Sequence, residues 1–310
     1  MRIAVVGEAL IDFTSTGRLA FQGQCGGSPF NTAIAAARLG QPTGFLTQLS
    51  TDMFGDELLR FLRENGVDTR FIDYDSAAST LAFVVQLQGT NRYAFLAEGS
   101  ADSRYAPRPL PQLPAETTFL QFGSIALLAE PAATSIAGIV RQHLGRVLVV
   151  FDPNIRISLI TDLAAYRAKF ARWLEMTALL KLSDEDVAQL EPGKTPEVCA
   201  EQWLRHGVKA VVMTQGAAGA TLYRRDHSPI HVPAQPVAVA DTIGAGDTFT
   251  AGLMAGLLER GVGPDSDISA LGDTDWRETL EFAAAAAAIN CTRAGANPPR
   301  RDEVRHLIGR

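Results

Sequence analysis

Short apolar runs rich in β-branched and aromatic residues alternate with amphipathic stretches along most of the chain. This alternation limits the fold more than any other feature. The runs fall at Arg2–Val6, Gly44–Leu49, Thr118–Phe122, Val147–Phe151, Leu179–Leu182 and Ala210–Thr214. Amphipathic segments lie between several of them, at Phe54–Asn65, Thr134–Leu144, Ala164–Met176 and Pro196–His206. Strands that are apolar throughout must be covered on both faces. The pattern therefore predicts an α/β fold, with a central mostly parallel sheet flanked by helices in a Rossmann-like three-layer arrangement.

The alternation is broken once. Thr80–Gln88 and Arg92–Ala97 are strand-like runs around Gly89-Thr90-Asn91, which reads as a β-hairpin with no helix beside it. Leu10–Leu19 is placed to extend it into a small appended sheet, serving either as surface decoration or as a flap over a cleft. Pro107–Pro114 holds four prolines in eight positions and is a loop. The alanine run Ala283–Ala288 predicts a closely packed helix. At 310 residues, a single domain can bury a large core without disulfides or a structural metal.

Several function classes are disfavoured. The formal net charge is −6 and no basic stretch stands out, which speaks against nucleic acid as a partner but not against a local nucleotide site. Cys25, Cys199 and Cys291 are widely spaced, as expected of reduced thiols in a cytoplasmic protein. The first strand runs straight into Gly7-Glu8, too short for a signal-peptide core. The longest apolar run, Phe282–Ile289, is too short to cross a bilayer, so no membrane partner is expected.

Asp241-Thr242-Ile243-Gly244-Ala245-Gly246-Asp247 leads into an apolar helical pattern, Thr248–Glu259. A glycine-rich turn opening a helix exposes unpaired amides in the positive field of the helix dipole, which makes an anion cradle. Asp247 by itself could simply cap the helix. A cap, however, needs neither the Gly-Ala-Gly turn nor a second acid six residues earlier. Near the N-terminus, Gly26-Gly27-Ser28-Pro29-Phe30-Asn31 precedes the helical pattern Thr32–Leu39. Alone it reads as a turn with an Asn near a helix start.

Together these two strings, in this order and far apart, resemble the two signatures of the ribokinase-like (PfkB) carbohydrate kinase family, and the resemblance runs from Gly7 to about Pro299. It implies a ribokinase-like fold in one domain over residues 1–310, with a β-sheet lid from about 10–22 and 79–103. Asp247 is then the catalytic base, and Gly244, Ala245 and Gly246 bind the migrating phosphoryl group. Held ionised at a helix N-terminus, Asp247 is expected to be a weak base, which suffices where positioning dominates. Asp12, Gly26, Gly27 and Asn31 are implied to hold the sugar. Asp152-Pro153-Asn154-Ile155-Arg156 is similar to a stretch of fructokinase-type members and adds Arg156 to that set. Phe122-Gly123-Ser124-Ile125 resembles the same subgroup.

The resemblance also implies ATP and Mg²⁺. Thr214, Gly216 and Gly219 match an element that lies along ATP, whereas alone they read as a β-turn before the strand Ala220–Arg224. Ser183 and Asp186 fall where the family holds phosphates and magnesium, with the short Asp186 acting through water. Asp241, Ile243, Asn290, Arg293 and Gly295 match a monovalent-cation site, so K⁺ is expected. Pro299 stands at its last ligand position.

D-fructose, converted to fructose 6-phosphate, is the expected substrate. Kinases for another neutral sugar, 2-keto-3-deoxygluconate or a ribonucleoside remain alternatives. Ala97 stands where fructose- and ketoacid-type members often carry Arg, which weighs against a ketoacid; Arg92 and Arg104 are nearby cations. A catalytically silent, sugar-responsive regulator would usually lack the acid or the cradle. An NAD-dependent dehydrogenase needs a Gly-x-x-Gly spacing after Gly7 that is missing. The family further implies a homodimer formed through the lid hairpins.

Overall fold

A computed structural model describes residues 1–87 and 90–309. Its strands are β1 (Ile3–Val6), β2 (Leu10–Ser15), β3 (Phe21–Gly26), β4 (Thr43–Ser50), β5 (Ile72–Asp75), β6 (Thr80–Leu87), β7 (Thr90–Leu96), β8 (Phe119–Gly123), β9 (Leu148–Asp152), β10 (Leu179–Ser183), β11 (Ala210–Thr214), β12 (Ala220–Tyr223) and β13 (Ile230–Val232). The helices are α1 (Ser28–Arg38), α2 (Met53–Glu64), α3 (Ala132–His143), α4 (Leu163–Leu174), α5 (Asp184–Leu190), α6 (Pro196–Arg205), α7 (Ala245–Glu259), α8 (Asp273–Cys291) and α9 (Arg301–Leu307).

Nine strands form one sheet in the order β13-β12-β11-β10-β9-β8-β1-β4-β5, all running one way except β12, which is antiparallel to both its neighbours. The period-two geometry of a strand explains its composition. Ile3 and Val5 join one apolar cluster with α1, α7 and α8, while Ala4 and Val6 join a second with α3, α4 and α6. Phe119, Val150, Leu179 and Val212 share the first cluster; Leu120, Phe151, Leu180 and Met213 share the second. The expected three-layer architecture is thus present, built on two cores.

The first core is closed by small residues. A Cβ at Gly252 of α7 would stand 2.7 Å from Ala283 Cα of α8, and one at Gly256 would stand 3.1 Å from Thr279 Cγ2. The alanine run therefore serves helix-to-helix approach. The prolines of 107–114 lie in a loop.

A second sheet, in the order β3-β2-β6-β7, carries the expected hairpin: β6 and β7 pair antiparallel from Leu81↔Leu96 to Leu87↔Thr90. Thr90 and Asn91 belong to β7 rather than to a turn, and Gly89 lies outside the described residues. β3 extends this sheet to Gly26, past the limit read from sequence, because its residues pair with all of β2. β5 and β13 were not expected; runs of four and three residues carry too little pattern. Among the described residues no helix is long and apolar enough to cross a membrane.

From β1 the chain passes to β4 on one side and later to β8 on the other. The strand order reverses there, and the crevice beyond the carboxyl ends of β1, β8, β9 and β10 is where open α/β sheets bind ligands.

Candidate active site

Gly244 caps α7 in the left-handed region, at φ 74, and a Cβ there would stand 2.6 Å from Ala296 Cβ. Glycine meets both demands. The helix starts at Ala245, earlier than the sequence pattern indicates, so Asp247 sits inside the first turn and does not cap it. The Ala245 amide donates back to the Thr242 carbonyl at 3.2 Å. The amides that follow, of Gly246 and Asp247, stand at the open, electropositive end of the helix.

Asp247 is only 7% exposed and is gripped from α1, more than 200 residues away in sequence. The Ser28 hydroxyl donates to its Oδ1 at 2.7 Å and the Asn31 amide to its Oδ2 at 2.9 Å. Ser28 and Asn31 are three apart in the first turn of α1 and so share a face. α1 begins at Ser28, four residues before the apolar pattern, because Gly27 at φ 105 and Pro29 shape its entry. Asn31 contacts the acid itself, and Ser28 was not singled out from the sequence. Depth opposes the helix dipole that favours the ionised form of Asp247. Burial pushes its carboxyl above the usual range, Ser28 and Asn31 pull against that, Asp152 adds to it and Lys181 opposes it.

Asp12 of β2 lies across the same cleft. Its carboxylate rests against Gly26, where any Cβ would overlap Oδ2, so the first glycine of the pair admits the acid. Burial and the neighbouring Asp247 raise the Asp12 carboxyl to about 6, and the Arg156 guanidinium works the other way. Asp12 thus feels both Asp247 and Arg156. Arg156 also donates to the Ile155 carbonyl at 3.2 Å.

Beneath the α7 turn lies a buried ion pair with no assigned role in the sequence reading. Lys181 Nζ meets Asp152 Oδ2 at 3.0 Å, and Thr250 of α7 donates to the same oxygen at 2.8 Å. A Cβ at Gly246 would stand 3.0 Å from the Lys181 ammonium, so this charge sits directly under the cradle. Burial raises the Asp152 carboxyl despite Lys181. For Lys181 burial works downward, but the facing carboxylates prevail and hold the ammonium above the ordinary range. The signal was present: a lysine inside an apolar strand, one register step beyond Leu180↔Phe151.

Ser183 and Asp186 form a capping box on α5. Asp186 Oδ2 accepts from the Ser183 amide at 2.8 Å, and its Oδ1 accepts from the Ile155 amide at 2.7 Å. Both carboxylate oxygens are therefore occupied, Oδ2 at the start of α5 and Oδ1 in holding the stretch that carries Arg156. Thr214 ends β11, and Gly216 opens an exposed turn at φ 52 with open space where a Cβ would stand. Gly219 is different: a Cβ there would collide with the Val232 carbonyl, so it serves strand packing.

The two segments matched to a cation site are joined. Asp241 accepts from the Gly295 amide at 2.8 Å and the Ile243 amide at 3.0 Å, while the Asn290 side chain donates to the Ile243 carbonyl at 2.8 Å. Asn290 Oδ1 is buried and unpartnered, a donor oxygen that suits a hard cation. Arg293 instead points to the Asn297 carbonyl and to Glu303. Among the described residues no group of three or more His, Cys, Asp or Glu is arranged to hold a metal. Arg104 lies 3.7 Å from Asp75 and is largely exposed.

Residues 1–303 match the pfkB family carbohydrate kinase profile. A fructokinase of Rhizobium leguminosarum bv. trifolii is 38% identical over 259 residues, covering 82% of this chain and 79% of that protein. A fructokinase with bound ATP from Xylella fastidiosa superimposes with a TM-score of 0.89 at 28% identity, covering 99% of this chain and 98% of the other. A fructokinase double mutant from Vibrio cholerae O395, with fructose, ADP and potassium ion bound, gives 0.88 at 25% identity, covering 99% and 97%. With both signatures meeting at Asp247 in a ribokinase-like fold, this chain belongs to the pfkB family of carbohydrate kinases.

Proposed function

We propose that this chain transfers the γ-phosphoryl group of ATP to a hydroxyl of D-fructose, forming fructose 6-phosphate and ADP. The observation that carries the reading is the convergence on Asp247: a buried carboxylate in the first turn of α7, oriented by Ser28 and Asn31, facing Asp12 and Arg156. The likeness to fructokinases supports the choice of sugar.

The sugar lies between the two glycines of β3–α1 and Asp12, with Arg156 beside it. A buried acceptor such as Asp12 rejects analogues lacking a hydroxyl better than an apolar wall does. The hydroxyl oxygen bonds to the γ-phosphorus as the bond to the bridging oxygen of ADP breaks, and the proton passes to Asp247. A carboxylate raised by burial takes that proton more readily than an ordinary one. The amides of Gly246 and Asp247, the α7 dipole and Lys181 face the charge on the transferred group. ATP lies along Thr214, Gly216 and Ser183.

Magnesium, when bound, neutralises phosphate charge, and Asp186 reaches it only through water. Potassium fits between Asp241–Ile243 and Asn290–Gly295, where it would stabilise the turn that opens α7. The second sheet acts as a lid over the sugar. Exposed Leu19, between β2 and β3, and exposed Leu96 of β7 support pairing of two lids in a homodimer. Unpaired thiols at all three cysteines support a cytoplasmic setting.

A catalytically silent regulator is not favoured, because the acid, its two donors and the glycine turn are all in place. The test is ADP release with D-fructose, ribose, adenosine and 2-keto-3-deoxygluconate. D-Fructose should give the highest kcat/KM; preference for another would overturn the sugar assignment, and no turnover with any would overturn the kinase.

A further inference from the structure

Ser28 stands at the first position of α1, beside the cap position from which a serine hydroxyl accepts from a helix amide. It does not do so here. Gly27 occupies the cap, no side-chain cap bond forms, and the Ser28 hydroxyl turns across the cleft to Asp247 Oδ1 at 2.7 Å. The Ser28 amide is itself spoken for, donating to Glu8 Oε1 at 3.2 Å. The other oxygen, Oε2, accepts from the Ala126 amide at 3.1 Å. Glu8 is 2% exposed and Ser28 7%, so water does not compete for either bond.

We propose that Ser28 is a positioning residue for phosphoryl transfer, its hydroxyl fixing the Asp247 carboxylate while buried Glu8 fixes Ser28. The proposal rests on Asp247 being the base.

The geometry gives the reason. A carboxylate pinned at one oxygen can still swing about that bond. With Asn31 on Oδ2 and Ser28 on Oδ1, both oxygens are fixed. An ionised carboxylate offers about four lone-pair sites, so two donors leave the remaining pairs for the substrate hydroxyl. Glu8 supplies the rigidity behind this. Its two oxygens tie the start of α1 to the segment following β8, so the Ser28 turn cannot shift without breaking a buried bond. A loss of alignment of even a fraction of an ångström reduces in-line attack. Other charges facing Asp247 are Asp152 of β9 and Lys181 of β10; Asp12 of β2 and Arg156 lie across the cleft. None of these is altered by changing Ser28.

The experiment is steady-state kinetics on the full-length chain carrying Ser28→Ala. A hydrogen bond to a charged group is worth enough to lower kcat by about tenfold to a hundredfold. KM for ATP and for the sugar should change little. The acidic limb of the kcat–pH profile should move to higher pH, because a donor favouring the ionised acid is gone. Ser28→Thr, which keeps the hydroxyl, should restore most of kcat. Ser28→Cys keeps the volume with a weaker donor and should resemble Ser28→Ala, guarding against a mere packing defect. Wild-type kcat and an unmoved acidic limb in folded Ser28→Ala or Ser28→Cys overturn the proposal. If Asp247→Asn also keeps its turnover, the fault lies with the base; if Asp247→Asn is inactive, Ser28 alone is wrongly assigned.

Discussion

The two ends of the cleft are built differently. At the sugar and phosphoryl end, Glu8, Ser28, Asn31, Asp152 and Asp247 are all buried and bonded to partners far away in sequence. At the end proposed for the nucleotide, Gly216, Ala217 and Ala218 are exposed in a short turn, and Ser183 pairs with Asp186 only three residues on. The first end is organised before any ligand arrives; the second is a surface on which a ligand can settle. Chemistry that depends on alignment needs the rigid construction. Holding a nucleotide mainly needs backbone groups and space.

Three variants probe this contrast. Asp247→Asn should lower kcat by about a thousandfold while sugar affinity by calorimetry stays close to wild type, the size of effect expected for loss of a general base. Near-normal turnover would remove the distinction between the two ends.

The next effect concerns the cost of the rigid end. Burial raises the Glu8 carboxyl from its ordinary 4.5 to about 7. Between these values the folded chain keeps a proton that the unfolded chain has released. Folding therefore becomes less favourable as pH rises through that window, by on the order of 3 kcal/mol in all for this group. Glu8→Gln cannot titrate. Urea denaturation at pH 5 and pH 8 should show wild type losing stability relative to Glu8→Gln as pH increases. Parallel behaviour of the two proteins would mean that Glu8 is ionised throughout.

The smallest effect belongs to the open end. Gly216 is at φ 52 with free space around it, so Gly216→Ala meets only backbone strain, about 1 kcal/mol. KM for ATP should rise a few-fold with kcat unchanged. A collapse of kcat would show that this turn is as constrained as the Asp247 end.

The local patterns were enough for much of this. Apolar runs gave six strands of the central sheet, since a strand buried on both faces announces itself. The glycine turns marked both helix starts, although each helix begins a few residues before its apolar pattern. Sequence missed what depends on depth. The dipole at Asp247 was legible because it is a local effect, whereas the burial that works against it was not. Lys181 and Asp152 appeared as isolated charges until the parallel register of β9 and β10 brought them together.

By itself, then, the sequence determined the layered α/β architecture, the two glycine turns and the polar residues that follow them, Asn31 and Asp247, because secondary structure and turn chemistry follow from neighbours along the chain. Only the tertiary structure decided that Ser28 and Asn31 seize opposite oxygens of Asp247, that Glu8 stands behind Ser28, and that Asp186 joins the start of α5 to Ile155. Those pairings join segments up to some two hundred residues apart. Nothing in local periodicity encodes them, and the dielectric that sets their strength exists only once the core has closed.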